Sequence, residues 1–154
     1  MECLLPILYA QLAVFSSDEE HPYNDWAEGH IAQGFAWRPA SVSFAISPNI
    51  HQLWVNIRQL KTYAPSPSAN RVILVPIHVK GGRGLECGNV VDTVQIAIPD
   101  GQYALFFELF ESNDAGQARA EITLTLEKAI PCILKPGPDM TVPDKLLLEA
   151  SPAA

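Results

Sequence analysis

The side chains able to do chemistry are scattered along this chain, and their spacing excludes most of what they could do together. Four histidines, His21, His30, His51 and His78, form neither His-x-x-x-His nor His-Glu-x-x-His, the spacings that put two imidazoles on one helix face around zinc. Gly81-Gly-Arg-Gly84 lacks the Gly-Lys-Ser/Thr ending that supplies a phosphate loop with its ammonium and its magnesium-binding hydroxyl, so it reads as a flexible turn. No Gly-x-Ser-x-Gly elbow occurs, and Cys87, with glycines and Arg83 nearby, has no base beside it in the sequence. The expectation is no catalytic residue, no metal site and no cofactor. What remains is Ser16 to Glu28, which carries Asp18, Glu19, Glu20, Asp25 and Glu28 with no lysine or arginine before Arg38. Carboxylates without basic neighbours project a negative field that steers a cationic partner, and Tyr23 and Trp26, set among them, are residue types that anchor interfaces. Asp18, Glu19, Glu20, Tyr23, Asp25, Trp26 and Glu28 are therefore the expected partner-binding residues; the competing reading is a solvated acidic loop.

The elements that must position this stretch are short. Asp25 stands three residues before Glu28, the N-cap to N3 spacing, which predicts a helix from Asp25 to Gln33. Trp26 and His30 share one face of it, Ala27, Ile31 and Phe35 fall at i, i+4 and i+8, and Gly34 is placed as a left-handed terminator. Two turns of helix do not survive alone, so strands must hold it. The clearest are declared by Val94 to Phe110: Val94, Ile96 and Ile98 alternate with polar or small residues, Pro99-Asp-Gly-Gln102 has turn chemistry, and Tyr103, Leu105, Phe107 and Leu109 alternate with a second apolar row. These two strands are expected to be antiparallel neighbours, the second of them central, with Tyr103 either resembling the tyrosine corner of β-sandwiches or being an ordinary half-buried tyrosine. Further strands are expected over Ile7–Phe15, buried on both faces, Ser41–Ile46, Gln52–Leu60 with Trp54 on the polar side, Arg71–Val79, and Glu121–Glu127. Pro76 cannot donate to a ladder, which marks Arg71–Val79 as an edge or bulged strand. The sum is an all-β, mainly antiparallel β-sandwich of about seven strands with one short α-helix near residues 25–33.

Composition agrees. The 154 residues with 48% hydrophobic content suit a single sandwich domain over residues 1–134, followed by a proline-rich tail over 135–154 in which Leu146, Leu147 and Leu148 are the apolar cluster. Seventeen acids against ten bases give a formal charge of −7, which argues against a nucleic-acid-binding surface and for either solubility or a basic partner. Three cysteines with no Cys-x-x-Cys point to a reducing, cytoplasmic setting. The opening residues have no basic n-region, and Pro6 and Gln11 interrupt the apolar run, so neither a secretion signal nor a membrane span is expected.

Tyr9-Ala-Gln-Leu-Ala-Val-Phe15, Asp25-Trp26, Gly34-Phe-Ala36, Ser43-Phe-Ala45, Val75-Pro-Ile-His-Val79 and Ile98-Pro-Asp-Gly-Gln-Tyr103 occur in an order and at spacings that resemble the competence protein ComJ family. The likeness spans about residues 7 to 110. It implies an inhibitor of a bacterial nuclease, acting on a competence DNA-entry nuclease or as the immunity protein to a DNase toxin. The acidic stretch fits that implication independently, because a nuclease must present cations to phosphate. The alternative is a non-catalytic β-sandwich that binds a glycan or lipid, with Trp54 as its platform. With no ligand cluster in the sequence, a chelator is expected to leave the melting temperature unchanged, and a large chelator-induced drop would show that the histidines were misread.

Overall fold

Period-2 alternation builds the larger of two facing sheets. In the computed structural model, which describes residues 1–153, β5 (Gln52–Gln59) buries Leu53, Val55 and Ile57 and leaves Trp54 and Arg58 outside. The same parity turns Ile73, Val75, Ile77 and Val79 inward from β6 (Arg71–Val79), Tyr103, Leu105, Phe107 and Leu109 from β9 (Gly101–Leu109), and Ala118, Ala120, Ile122 and Leu124 from β10 (Gln117–Thr125). With β1 (Glu2–Pro6) and β11 (Cys132–Lys135), this six-stranded sheet has the order β1-β5-β10-β9-β6-β11. The β5–β10 pair is parallel and the other pairs are antiparallel. The smaller sheet contains β2 (Gln11–Ser16), β3 (Phe35–Arg38), β4 (Ser41–Ala45), β7 (Leu85–Gly88) and β8 (Thr93–Ile96) in the order β3-β4-β2-β7-β8, all antiparallel. One short helix, α1 (Glu28–Gln33), lies between β2 and β3. No helix among the described residues is long and apolar enough to cross a membrane.

The sheets meet through Leu12, Val14, Phe35, Val42 and Phe44 on one side and the inward rows of β5, β6, β9 and β10 on the other. At the centre Phe44 stacks on Phe107, with ring centroids 4.1 Å apart and planes 5° from parallel. Both rings are fully buried, and each burial stabilises the sandwich by about 1.5–3 kcal/mol. On the outside of β9, Tyr63 stacks on Phe106 at 4.0 Å and donates its hydroxyl to Glu108 at 3.0 Å. That cover explains why β9 is apolar on both faces.

The sandwich is as expected, and the differences are local. Eleven strands are present among the described residues because β1, β3, β7 and β11, each four or five residues long, carry too little alternation to be read from the sequence. Ile7–Phe15 is not one strand. Leu8 bridges to Gln11 across Tyr9 and Ala10, both left-handed at φ 56° and 52°, and the chain thereby passes from the larger sheet to the smaller. Left-handed backbone costs a non-glycine residue roughly 1–2 kcal/mol, and no turn residue announces it. β6 is not at an edge either, since β11 pairs with Val72 to Leu74. Pro76 is tolerated because it lies beyond that pairing, where its carbonyl accepts from Trp37 Nε1 at 2.6 Å.

The Pro99–Gln102 turn joins strands of different sheets, β8 pairing with β7 and β9 with β6 and β10. It is a corner of the sandwich and not a hairpin. Tyr103 is 2% exposed, and its hydroxyl donates to the Pro99 carbonyl at 2.7 Å, the tyrosine-corner bond. Asp100 does not cap its own turn; both its carboxylate oxygens accept from Gly82 N–H, at 2.9 and 3.1 Å. Tyr103→Phe is expected to cost about 1 kcal/mol in chemical denaturation, and an unchanged midpoint would remove this bond from the account of the corner.

Candidate functional site

Between Phe15 and Arg38, the outward row of the smaller sheet carries the small residues Ala13, Ala36, Ser41 and Ser43, and yet all four are buried. What covers them is the segment His21–Asp25. Asn24, 4% exposed, lies at the centre of the cover. Its amide donates to Ala36 O at 3.1 Å and Ser43 Oγ at 3.3 Å, with Ser41 Oγ at 3.4 Å sharing a proton, and its Oδ1 accepts from Arg38 Nε at 2.6 Å. Ser41 Oγ in turn donates to Pro22 O, and Arg38 to His21 O. The C-terminal segment closes over the far side. Ala150 N–H bonds Trp37 O on the β3 edge, Asp25 N–H bonds Ser151 O, and Ala153 N–H bonds Tyr23 O, at 2.8, 2.9 and 2.8 Å. Leu147 and Gln33 exchange two hydrogen bonds of 2.9 and 3.0 Å, so this strap holds α1 as well.

These contacts divide the expected partner-binding residues into two sets. Asp18 accepts from Ser16 Oγ at 3.0 Å and packs on Gly81, where a Cβ would come within 2.4 Å of its carboxylate. Glu19 forms ion pairs with Arg38 at 3.6 Å and Lys80 at 3.4 Å, so bases remote in sequence neutralise it. Tyr23 packs edge-on against Phe15 at 5.7 Å and donates to Asn89 O at 3.0 Å. Burial pushes its phenol pKa up, with Glu86 adding to the shift. Glu20, Asp25 and Glu28 are exposed, and Trp26 is half-buried with its Nε1 donating to Gln11 Oε1 at 3.0 Å. Three carboxylates and one indole thus face outward from a segment tied down on both sides. Trp54 does not extend this surface, because it stands on the outer face of the other sheet.

The helix begins later than expected. α1 starts at Glu28 with Ala27 as its N-cap, and Asp25 spends its N–H on Ser151 instead. Ala27 offers no side-chain acceptor; the one side-chain bond at this end is Ala27 N–H to His30 Nδ1, at 2.9 Å. The helix buries His30 and Gln33 and leaves Ile31 61% exposed. Burial holds the His30 imidazole below its ordinary pKa, partly offset by the Glu149 backbone, although Nε2 completes no hydrogen bond of normal geometry.

Beside Trp26 opens a cleft of about 420 Å³, lined among others by Tyr9, Gln11, Ile31, Arg71 and Met140. Arg71, 3% exposed, donates to Ala45 O and to Asp139 at 2.8 Å. Sequence reasoning passed over Tyr9 because it sat in an apolar run, and Met140 because the tail showed no periodicity. Burial pushes the Cys87 thiol far above its ordinary pKa, which keeps it protonated and unreactive. Among the described residues no group of three His, Cys, Asp or Glu side chains is placed to hold a metal ion.

The model of the family Competence protein J (ComJ) matches residues 4–127. The chain is similar to the crystal structure of ComJ, inhibitor of the DNA degrading activity of NucA, from Bacillus subtilis, with 23% identity and a TM-score of 0.71 over 82% of this chain and 96% of that one. It is also similar to the structure described as Crocagin biosynthetic gene J, with 16% identity and a TM-score of 0.52 over the same shares. At these identities the two structures speak for the fold. No curated protein matches.

The Asn24 segment, the C-terminal strap and α1 act together as a clamp, which His30 makes sensitive to acid. The histidine's folded pKa lies below its unfolded value of about 6.5, so its contribution is intact above that pH and is lost as pH falls through the folded value. Protonation also converts Nδ1 from the acceptor that Ala27 N–H needs into a donor. Wild type is expected to lose more stability than His30→Gln between about pH 7.5 and 5.5 in denaturant titrations; equal losses would place the acid sensitivity elsewhere.

Proposed function

This chain belongs to the competence protein J (ComJ) family, and from that premise we propose that it is a non-catalytic inhibitor of a bacterial nuclease, binding the enzyme through the face that carries Glu20, Trp26, Asp25 and Glu28. The family match over residues 4–127 is the observation that carries the reading. The competence DNA-entry setting and immunity to a DNase toxin are both forms of this one activity. Electrostatics supplies the mechanism: a nuclease groove that holds a polyanion is cationic, so carboxylates seated at its mouth compete with phosphate and raise the rate of encounter. The clamp supplies the affinity. A segment already fixed by Asn24 and by the C-terminal strap loses little conformational freedom when it binds.

The test begins with nucleases recovered from the native host on the immobilised chain and assayed for DNA degradation. Wild type is expected to abolish the activity of one of them at a one-to-one ratio, and failure to inhibit any would reject the reading. Glu20→Lys with Glu28→Lys is the informative variant, since Glu19→Lys would set three cations together and disturb the fold. It should slow association about tenfold or more at low salt and flatten the salt dependence, with the melting temperature lowered only slightly by the reversed charge in the first turn of α1. Wild-type inhibition by this variant at every salt concentration would move the interface to another face.

A further inference from the structure

Tyr9 is 79% exposed, and yet the chain holds it in the left-handed region at φ 56°, followed by Ala10 at φ 52°. They are the two non-glycine residues with positive φ among the described residues. A two-residue reversal of this kind is ordinarily served by Asn-Gly, which adopts φ > 0 with little strain. Tyr-Ala accepts strain and buries almost nothing of the tyrosine in return. Strain kept where local rules favour other residues marks a position whose side chain is needed.

That side chain, largely exposed, lines the 420 Å³ cleft together with Trp26 and Ile31. The walls are rigid. Trp26 is locked by Gln11 at 3.0 Å, and Met140 lies against Gly34, where a Cβ would come within 3.2 Å of its methyl carbon. The two charges of the lining pair with each other, and Arg71 Nε is left without a partner. Arg71 and Asp139 are the ionic residues of the lining, and the buried Arg71 guanidinium is engaged by Asp139 and by Ala45 O. Asp139 is half exposed, and Asp25 and Glu28, both exposed, adjoin Trp26 in the chain and Ile31 one helical turn away. An aromatic and aliphatic cleft whose one cation is buried and paired, with the exposed carboxylates of Asp25 and Glu28 on residues next to its lining, suits a long cationic side chain, whose stem packs on Tyr9 and Ile31 while its head reaches out to Asp25 or Glu28.

We propose that this cleft is the anchoring pocket for the nuclease, receiving an arginine or lysine side chain from the enzyme's DNA-binding surface. The proposal rests on the inhibitor reading above and adds the point of attachment. One wall of the pocket, Asp139 and Met140, lies beyond the residues that match the family. The C-terminal strap therefore helps select which nuclease is accepted, in addition to clamping the fold.

Tyr9→Gly and Ile31→Lys test this against the nuclease that wild type inhibits, with Trp54→Ala on the opposite sheet as the control. Tyr9→Gly relieves the backbone strain, so it should melt at or above wild type while dissociating from the nuclease about tenfold faster or more. Its salt dependence should stay that of wild type, because no charge is changed. Ile31→Lys should weaken binding at least as much by setting a cation against a cation, and Trp54→Ala should bind as wild type does. Variants that bind within about twofold of wild type, with wild-type inhibition intact, overturn the pocket and leave the inhibitor reading standing. A wild-type chain that inhibits no nuclease overturns both. Loss of self-association in the variants, with nuclease binding unchanged, would assign the cleft to a second copy of the chain and overturn the proposal.

Discussion

The side-chain amide of Asn24 is the contact on which this surface depends. It is buried against the outside of the smaller sheet, bonding Ala36 and Ser43 with its nitrogen and Arg38 with its oxygen. Each partner is itself buried or half-buried, so removing the amide would strand several polar groups, each at a cost of roughly 1–3 kcal/mol. The geometry is possible because Ala13, Ala36, Ser41 and Ser43 leave the outer face of the sheet nearly flat. A chain segment lies there in place of solvent. The acidic residues on either side of Asn24 inherit its fixity.

Fixity is what separates a docking surface from a charged loop. The two ends of the segment serve different purposes: Asp18 and Glu19 are drawn back to Gly81, Arg38 and Lys80, while Glu20, Asp25 and Glu28 remain open. The strap completes the arrangement. It bonds α1 through Gln33, the β3 edge through Trp37 and the segment through Tyr23 and Asp25, and it lends Asp139 and Met140 to the cleft. Removal of the strap would therefore loosen helix, edge and segment together.

Much of the sandwich was legible in the sequence because alternation reports burial directly. Leu53, Val55 and Ile57, or Leu105, Phe107 and Leu109, need no knowledge of their neighbours to declare an inward face. The failures have a common cause. Ile7–Phe15 reads as one strand since nothing in Tyr9-Ala10 betrays a left-handed turn, and Pro76 reads as an edge since its tolerance depends on where β11 stops. Asp25 fits an N-cap by spacing, but its backbone is claimed by Ser151, a residue 126 positions away. Local rules describe what a segment can do; a remote partner chooses among the options.

By itself the sequence determined the β-sandwich class, the Pro-Asp-Gly-Gln turn, the absence of a recognisable catalytic motif, and the concentration of acid near Trp26. Each follows from residues close together in the chain, where propensity, parity and charge act without reference to the fold. Tertiary structure alone decided which carboxylates stay free, because the cations that neutralise Glu19 arrive from β3 and from beyond β6. It alone decided that Tyr9, Trp26, Ile31 and Met140 share one cleft, because they come from a turn, a loop, a helix and a strap that only packing brings together.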